Sequence, residues 1–447
     1  MRYEEEVHNY VQTHKDEMIN ILKELVKIPS VRSAPEEGAP FGRACADVLE
    51  YVKSCWQKNG LDTELCQESG YLLSYYGEGE KSIGLFAHAD VVSVSDDWIF
   101  TKPFDMIERD GFLIGRGVID DKAAIVTSLY CAKMLKELNI PFHSKLVVFT
   151  GANEETGMAD IKNYVSEHTP PDFALVPDSG FPVYRGDKGI LQFEAMANTA
   201  FKEIEDFSGG QDINITLGQA MAKINGNEMT ETGVSCHGAL PEGSVNAGYL
   251  LAKKLCDENL LCKEDMEQMK FIERLLEKYY GEVFGIDGED KVFGKLTCSN
   301  GMAKTKNGKP ALIFDVRYGL DADYENIKDK ISKFFRQNGW SVRIISEKRP
   351  YIIPEDHVLL QKCLKAYKEF CKTEDASTYI NAGATYAGAL PCAIEIGSVL
   401  YGGRPDDMPQ GHGNAHQPDE YISIDGFLRA AELTLHMILE CDTELNK

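Results

Sequence analysis

Ser82-Ile83-Gly84-Leu85-Phe86-Ala87-His88-Ala89-Asp90 is a short apolar run that ends in a histidine and an aspartate. An unbroken apolar segment of this length is the mark of a strand buried on both faces, as in sheets covered by helices on each side. Two similar runs follow, Leu146-Val147-Val148-Phe149 and Phe173-Ala174-Leu175-Val176, and each leads into acidic residues. Between the first two lies Gly115-Arg116-Gly117-Val118-Ile119-Asp120-Asp121-Lys122, then Ile125, Leu129, Ala132, Leu135 and Leu138 as one apolar stripe at helical spacing. Strands alternating with helices predict an α/β fold built on a mostly parallel sheet.

Outward from this centre the texture changes. Tyr3 to Ile28 has apolar residues at helical spacing and stops at Pro29, and a second helical pattern covers Cys45 to Trp56. After Gly189 the pattern becomes mixed. A helical region is expected around Ala220, a charged helix from Lys263 to Tyr280, and a hairpin at Asn307-Gly308. A helix carrying Tyr324, Ile327, Ile331 and Phe334 should stop at Asn338-Gly339, before a strand from Ser341 to Ile345. Helices near Val358 to Phe370 and Phe427 to Leu439 return to the first texture. The expected organisation is one domain formed by residues 1–187 and 353–447, interrupted by an α+β insert at 188–352. A chain of 447 residues is long enough for both.

Composition excludes several function classes. With 43% hydrophobic and 26% charged residues the chain has the make-up of an ordinary globular protein. The net charge of −24 repels phosphate backbones and anionic lipid, so neither nucleic acid nor membrane is an expected partner. The start, Met1-Arg2-Tyr3-Glu4-Glu5-Glu6, lacks a basic and apolar leader, and a cytoplasmic location is expected. The 12 cysteines are scattered, with no Cys-x-x-Cys pair, and read as free buried thiols.

The chemistry gathers at the strand ends. Open α/β sheets bind ligands beyond the carboxyl ends of their strands, and His88, Asp120, Glu154-Glu155 and Asp178 all fall at such places. His88 and Asp90 share a face of extended chain, so the Asp90 carboxylate is placed to hold the second ring nitrogen of a metal-bound His88. Glu154 and Glu155, being adjacent, point apart in extended chain, which leaves one to bind metal and the other free. His8, His14, His143, His168, His357 and His436 have no acidic company in the sequence and read as structural or solvated.

Taken together, Phe86-Ala87-His88-Ala89-Asp90, Gly115 to Lys122, Asn153-Glu154-Glu155-Thr156-Gly157 and Pro177-Asp178-Ser179 resemble the dinuclear-zinc aminoacylase/carboxypeptidase family of metallopeptidases. Phe181-Pro182-Val183 with Gly186-Asp187-Lys188-Gly189 looks most like its peptidase V-like dipeptidase branch. The resemblance extends through Gly233 to Ala247, Asn381 to Tyr386 and Asn414-Ala415-His416-Gln417-Pro418-Asp419-Glu420. It implies a metallopeptidase catalytic domain with an inserted lid domain. Asp120 would bridge two metals, with His88 and Asp178 completing one site and Glu155 and His416 the other. His412 is a nearby competitor, but the context of the motif favours His416. Glu154 matches the general base, Asp90 the orienting carboxylate, and His237 in Val234-Ser235-Cys236-His237-Gly238 the group that stabilises the oxyanion. Arg317 in Asp315-Val316-Arg317-Tyr318 matches a clamp for the substrate carboxylate, and Asn214 a substrate contact, although Thr216-Leu217 departs from the branch pattern. A cis peptide after Asp120 is also implied.

Three carboxylates leave two divalent ions with residual positive charge, which a bridging hydroxide neutralises; Glu154 can take the proton that a metal-bound water gives up and later hand it to the leaving amine. Zinc is the expected metal, and manganese or cobalt suit the same donors. The expected activity is hydrolysis of dipeptides with both termini free, by a monomer whose lid must close. An N-acyl amino acid deacylase on the same scaffold is the alternative.

Overall fold

The computed structural model describes residues 3–210, 212–258 and 260–447, so Met1 and Arg2 of the quoted start lie outside the described residues. The chain forms two compact units. One runs to Gly186 and resumes at Ile352; the other is Asp187–Tyr351.

In the first unit the central sheet follows the order Asp62–Cys66, Tyr71–Tyr76, Lys145–Gly151, Ser82–His88, Phe173–Ser179, Ala393–Gly397. The inner pairings are parallel: Ser82–His88 with both Lys145–Gly151 and Phe173–Ser179, and Ala393–Gly397 with Phe173–Ser179. Tyr71–Tyr76 joins antiparallel and, with Asp62–Cys66, adds an edge hairpin absent from the sequence reading. The register places His88 opposite Gly151. Two strands therefore end level, and their following loops open on the same edge of the sheet.

The helix Lys122–Glu137 is buried along its whole length from Lys122 to Leu135, not on a single stripe. Its first residue is a lysine whose Nζ donates to the carbonyls of Leu25 and Ile28, both at 2.9 Å. Burial pushes this ammonium down to about 7. The bonds fix the start of the helix, and so the position of the preceding Asp120, against the end of the helix Lys15–Lys27. The first helical stretch is two helices, Glu4–Thr13 and Lys15–Lys27, interrupted at His14, whose Nδ1 contacts the Tyr10 carbonyl at 2.8 Å. A small sheet, Ile107–Arg109, Phe112–Ile114 and Tyr421–Ser423, pairs Tyr421 with Ile114.

The second unit holds a sheet in the order Asn227–Thr232, Gln219–Ile224, Ile204–Gly209, Thr297–Lys306, Lys309–Tyr318, Gly189–Ala197, Trp340–Lys348. The expected helix around Ala220 is the strand Gln219–Ile224. Ala220, Ala222 and Ile224 are buried in alternation, and Asn225 and Gly226 take φ of 51° and 78° to turn the chain onto Asn227–Thr232. The Asn-Gly turn and the period of two thus override the helix preference of alanine. The turn at Asn307-Gly308 is of the same kind, with φ of 52° and 74°. The charged helix is Lys263–Leu276, shorter than expected by its last turn.

Two expectations about histidines are corrected. His8 and His143 do have acidic partners, Glu432 at 3.0 Å and Asp442 at 3.3 Å, from the helix Ile424–Leu445. These partners are far away in the chain, so local sequence could not reveal them. On the same helix His436 is 5% exposed, and burial pushes its pKa down from 6.5 to about 4. The folded state therefore binds this proton less readily than the unfolded chain. The stability contributed by neutral His436 is intact above pH 6.5 and is lost as pH falls towards 4. A cost of roughly 3 kcal/mol at the acid end is expected. His436→Gln should flatten denaturant-measured stability across that window, and an unchanged slope would refute the assignment.

Candidate metal centre

The site in the first unit is built from the loops beyond the parallel strands. His88 closes its strand and is fully buried. Its Nε2 lies 2.9 Å from Asp120 Oδ1 and 3.7 Å from Asp178 Oδ1. His416 Nε2 lies 3.0 Å from Asp120 Oδ2 and 3.2 Å from Glu155 Oε2. Asp120 thus offers one oxygen to each imidazole. His412 turns elsewhere, its Nδ1 sitting 2.7 Å from Asp419 Oδ2. The Asp120-Asp121 peptide is cis.

The donor atoms of His88, Asp120 and Glu155 all lie within 4.8 Å of one another, and so do those of His88, Glu154 and Asp178. Glu154 is therefore within reach of a metal set. The Glu-Glu segment is a turn and not extended chain, yet the two side chains still diverge, one towards Asp178 and the other towards His416.

Asp90 does something other than expected. The closest partner of His88 Nδ1 is the backbone carbonyl of Asp90 at 2.9 Å, while the Asp90 carboxylate stands 3.5 Å away. That carboxylate instead accepts the amides of Glu154 at 3.0 Å and Glu155 at 3.1 Å. The residue fixes His88 through its main chain and the Glu-Glu turn through its side chain. Asp160, missed in the sequence, supports the same turn: it accepts the Asn153 amide at 2.7 Å and the Tyr386 hydroxyl at 2.5 Å. A side chain at Gly151 would meet that hydroxyl at 2.0 Å, so only glycine lets the strand pass under it.

The electrostatics are those of a cation site. Burial raises Asp178 and, together with the charge of Asp178, holds Glu154 well above the usual carboxylate range. Burial and the Asp120 charge push Glu155 up to about 7. Burial also opposes the charge of Asp120, but hydrogen bonds from His416 and His88 outweigh it and hold this carboxylate below its ordinary range. His416 is driven the other way: its carboxylate partners overcome burial and raise it to about 11. Glu154 Oε1 and Glu155 Oε1 are buried without a hydrogen-bond partner. Burying several carboxylates together with lone pairs unmet is costly unless cations compensate them, and two imidazoles with carboxylate oxygens suit divalent ions. The residues present fit such a pair.

The remaining candidate residues, Asn214, His237 and Arg317, lie in the second unit. His237 is exposed on a segment bridged to Ile215, and the amide of Gly238 donates to the Asn214 carbonyl at 2.6 Å. Ser299 Oγ holds the Gly238 carbonyl at 3.1 Å. Arg317 and Asp315 lie on one face of the strand Lys309–Tyr318, both buried, with Nε donating to Oδ2 at 2.7 Å. Asn214, His237, Asp315 and Arg317 are thereby brought into one neighbourhood.

Two imidazoles, His88 fully buried and His416 half-exposed, gathered with carboxylates at the carboxyl edge of a parallel sheet are the donor set of a metal-binding protein. The chain belongs to the peptidase family M20/M25/M40, whose model matches residues 84–440. It is 28% identical over 470 residues to YtjP of Bacillus subtilis (strain 168), a provisionally named dipeptidase, covering 95% of this chain and 97% of that protein. Its fold matches human carnosine dipeptidase 1 with a TM-score of 0.67 at 14% identity, over 99% of both chains. It also matches the di-peptidase Dug1p of Saccharomyces cerevisiae with a TM-score of 0.65 at 16% identity, over 98% of both. Among the described residues no helix is long and apolar enough to cross a membrane.

Proposed function

We propose that the chain is a cytoplasmic, monomeric dipeptidase that hydrolyses dipeptides with a free amine and a free carboxylate. The observation that carries this reading is Asp120, one oxygen facing His88 and the other His416, with the buried Glu154 beside it. His88, Asp120 and Asp178 would hold one ion and Asp120, Glu155 and His416 the other, most simply zinc, with manganese or cobalt also compatible. When bound, the ions polarise the scissile carbonyl and make water nucleophilic near neutral pH.

The remaining chemistry belongs to side chains. Glu154 removes a proton from the attacking water and returns it to the nitrogen of the leaving amine. His237 donates to the oxyanion, Arg317 holds the substrate carboxylate, and Asn214 contacts the substrate. The insert acts as a lid, and its motion gates turnover.

A carboxylate-rich site favours an ammonium over an apolar acyl cap. Acetylating the dipeptide amine or amidating its carboxylate should each lower kcat/KM by at least about tenfold, or roughly 1.4 kcal/mol of transition-state binding. All hydrolysis should stop on chelation and return with added metal. If N-acetyl amino acids were cleaved as well as the matching dipeptides, a deacylase would replace this reading.

The monomer assignment has its own test. Mixing an inactive His237→Ala chain with an inactive Glu154→Gln chain should restore nothing, because each chain uses its own His237. Recovered activity would mean that His237 acts across a dimer.

A further inference from the structure

Two buried charged residues outside the ligand set join the loops that bring Asp120 and His416 together. Arg116 is 1% exposed and Glu420 0%. Arg116 Nη1 donates to Glu420 Oε2 at 2.6 Å, and Nη2 to the His416 carbonyl at 3.3 Å. The same Glu420 carboxylate accepts three backbone amides, from Gly117 at 3.0 Å, Ile119 at 2.9 Å and Asp120 at 3.2 Å.

The fold explains why these groups meet. Phe112–Ile114 and Tyr421–Ser423 are paired strands, and the Gly115 amide donates to the Glu420 carbonyl at 2.9 Å. The loop that follows one strand and the loop that precedes the other therefore lie side by side. Neither loop has regular structure between Gly117 and Asp121 or between Asn414 and Glu420, and His416 itself takes a left-handed φ of 65°. Non-glycine residues in that region persist only where their surroundings enforce them.

We propose that Glu420, clamped by Arg116, is a positioning residue that fixes the loop of Asp120 against the loop of His416 and so sets the second metal position before the ion arrives. A carboxylate has about four acceptor sites, and here all are taken by one guanidinium and three amides. Glutamine in its place would turn a donor either towards the guanidinium and the Gly117 amide or towards the Ile119 and Asp120 amides. The loops would separate, and His416 Nε2 and Asp120 Oδ2 would no longer be held 3.0 Å apart. The proposal rests on Asp120 and His416 being metal ligands.

Zinc and cobalt titrations of the metal-free chain test it. Glu420→Gln and Arg116→Met should weaken one of the two metal equivalents about 10- to 100-fold and change the cobalt absorption spectrum. Asp442→Asn is the control. Asp442 accepts the Ser144 amide at 2.8 Å, at the opposite end of the strand Lys145–Gly151 from the site. That variant should lower thermal stability and leave metal affinity and spectrum unchanged. Folded Glu420→Gln protein with parental affinity for both metals would overturn the proposal. If Asp120→Ala and His416→Ala also kept both metals, the ligand assignment itself would fall, which is a separate outcome.

A measurement on the unmodified chain decides the matter should the variants not fold. In metal-free protein the amides of Gly117, Ile119 and Asp120 should already resist hydrogen exchange. If they exchange freely until metal is added, the ions order the loop and Glu420 does not.

Discussion

Glu154→Gln is expected to abolish turnover while leaving both metals bound. Glutamine keeps the size of the side chain and removes its basicity, so the water loses its proton acceptor and the amine its donor. A positioned general acid–base group contributes about 10² to 10⁴ in rate, so a fall of at least about 100-fold is expected, or roughly 3 kcal/mol. The Asp90 carboxylate holds the Glu154 and Glu155 amides, so the turn should survive the change. Glu155→Gln should instead lose metal, because Glu155 Oε2 is 3.2 Å from the other proposed ligand, His416. Asp120→Ala should lose most, since both imidazoles face this one carboxylate. Metal analysis alongside steady-state kinetics separates these outcomes. Glu154 also lies within donor range of His88 and Asp178. A metal-free Glu154→Gln with a fully loaded Glu155→Gln would therefore reverse the two roles.

The parallel core was legible because its signal is local. Each of Ser82–His88, Lys145–Gly151 and Phe173–Ser179 is one continuous apolar run, and the reactive residues follow at the strand ends. What could not be read is whatever depends on partners distant in the chain. The antiparallel strand Tyr71–Tyr76 is buried because it lies between Asp62–Cys66 and Lys145–Gly151. Glu432 and Asp442 reach His8 and His143 from the far end of the chain. The strand Gln219–Ile224 did carry a local signal, the Asn225-Gly226 turn after an alternating stretch, and the helix preference of its alanines masked it. Within the site the proposed ligands carried a sequence signal, but their supports did not. Arg116 stands between two glycines and Glu420 follows Asp419, positions that in sequence look like a solvated turn. Only their complete burial separates them from one.

Arg317→Ala is expected to have two large effects, on stability and on substrate choice, that can be measured apart. The guanidinium is 4% exposed and its Nε is bonded to the fully buried Asp315. Asp315 also accepts Gln192 Nε2 at 3.0 Å, so removing the arginine leaves a buried carboxylate with that amide in place of a charge. Breaking a buried ion pair from one side costs about 3–5 kcal/mol, which denaturant unfolding will register. Asp315→Asn in the same chain replaces the stranded charge with a neutral amide that Gln192 can still meet. The double variant should therefore recover much of the lost stability. It should not recover the preference for a free carboxylate. If Arg317 is the clamp, amidating the dipeptide should no longer be penalised in the double variant, whereas acetylating its amine should still be penalised. A double variant that is stable and yet retains the full penalty for amidation would place carboxylate recognition on another residue. Arg317 would then be a structural partner of Asp315 alone.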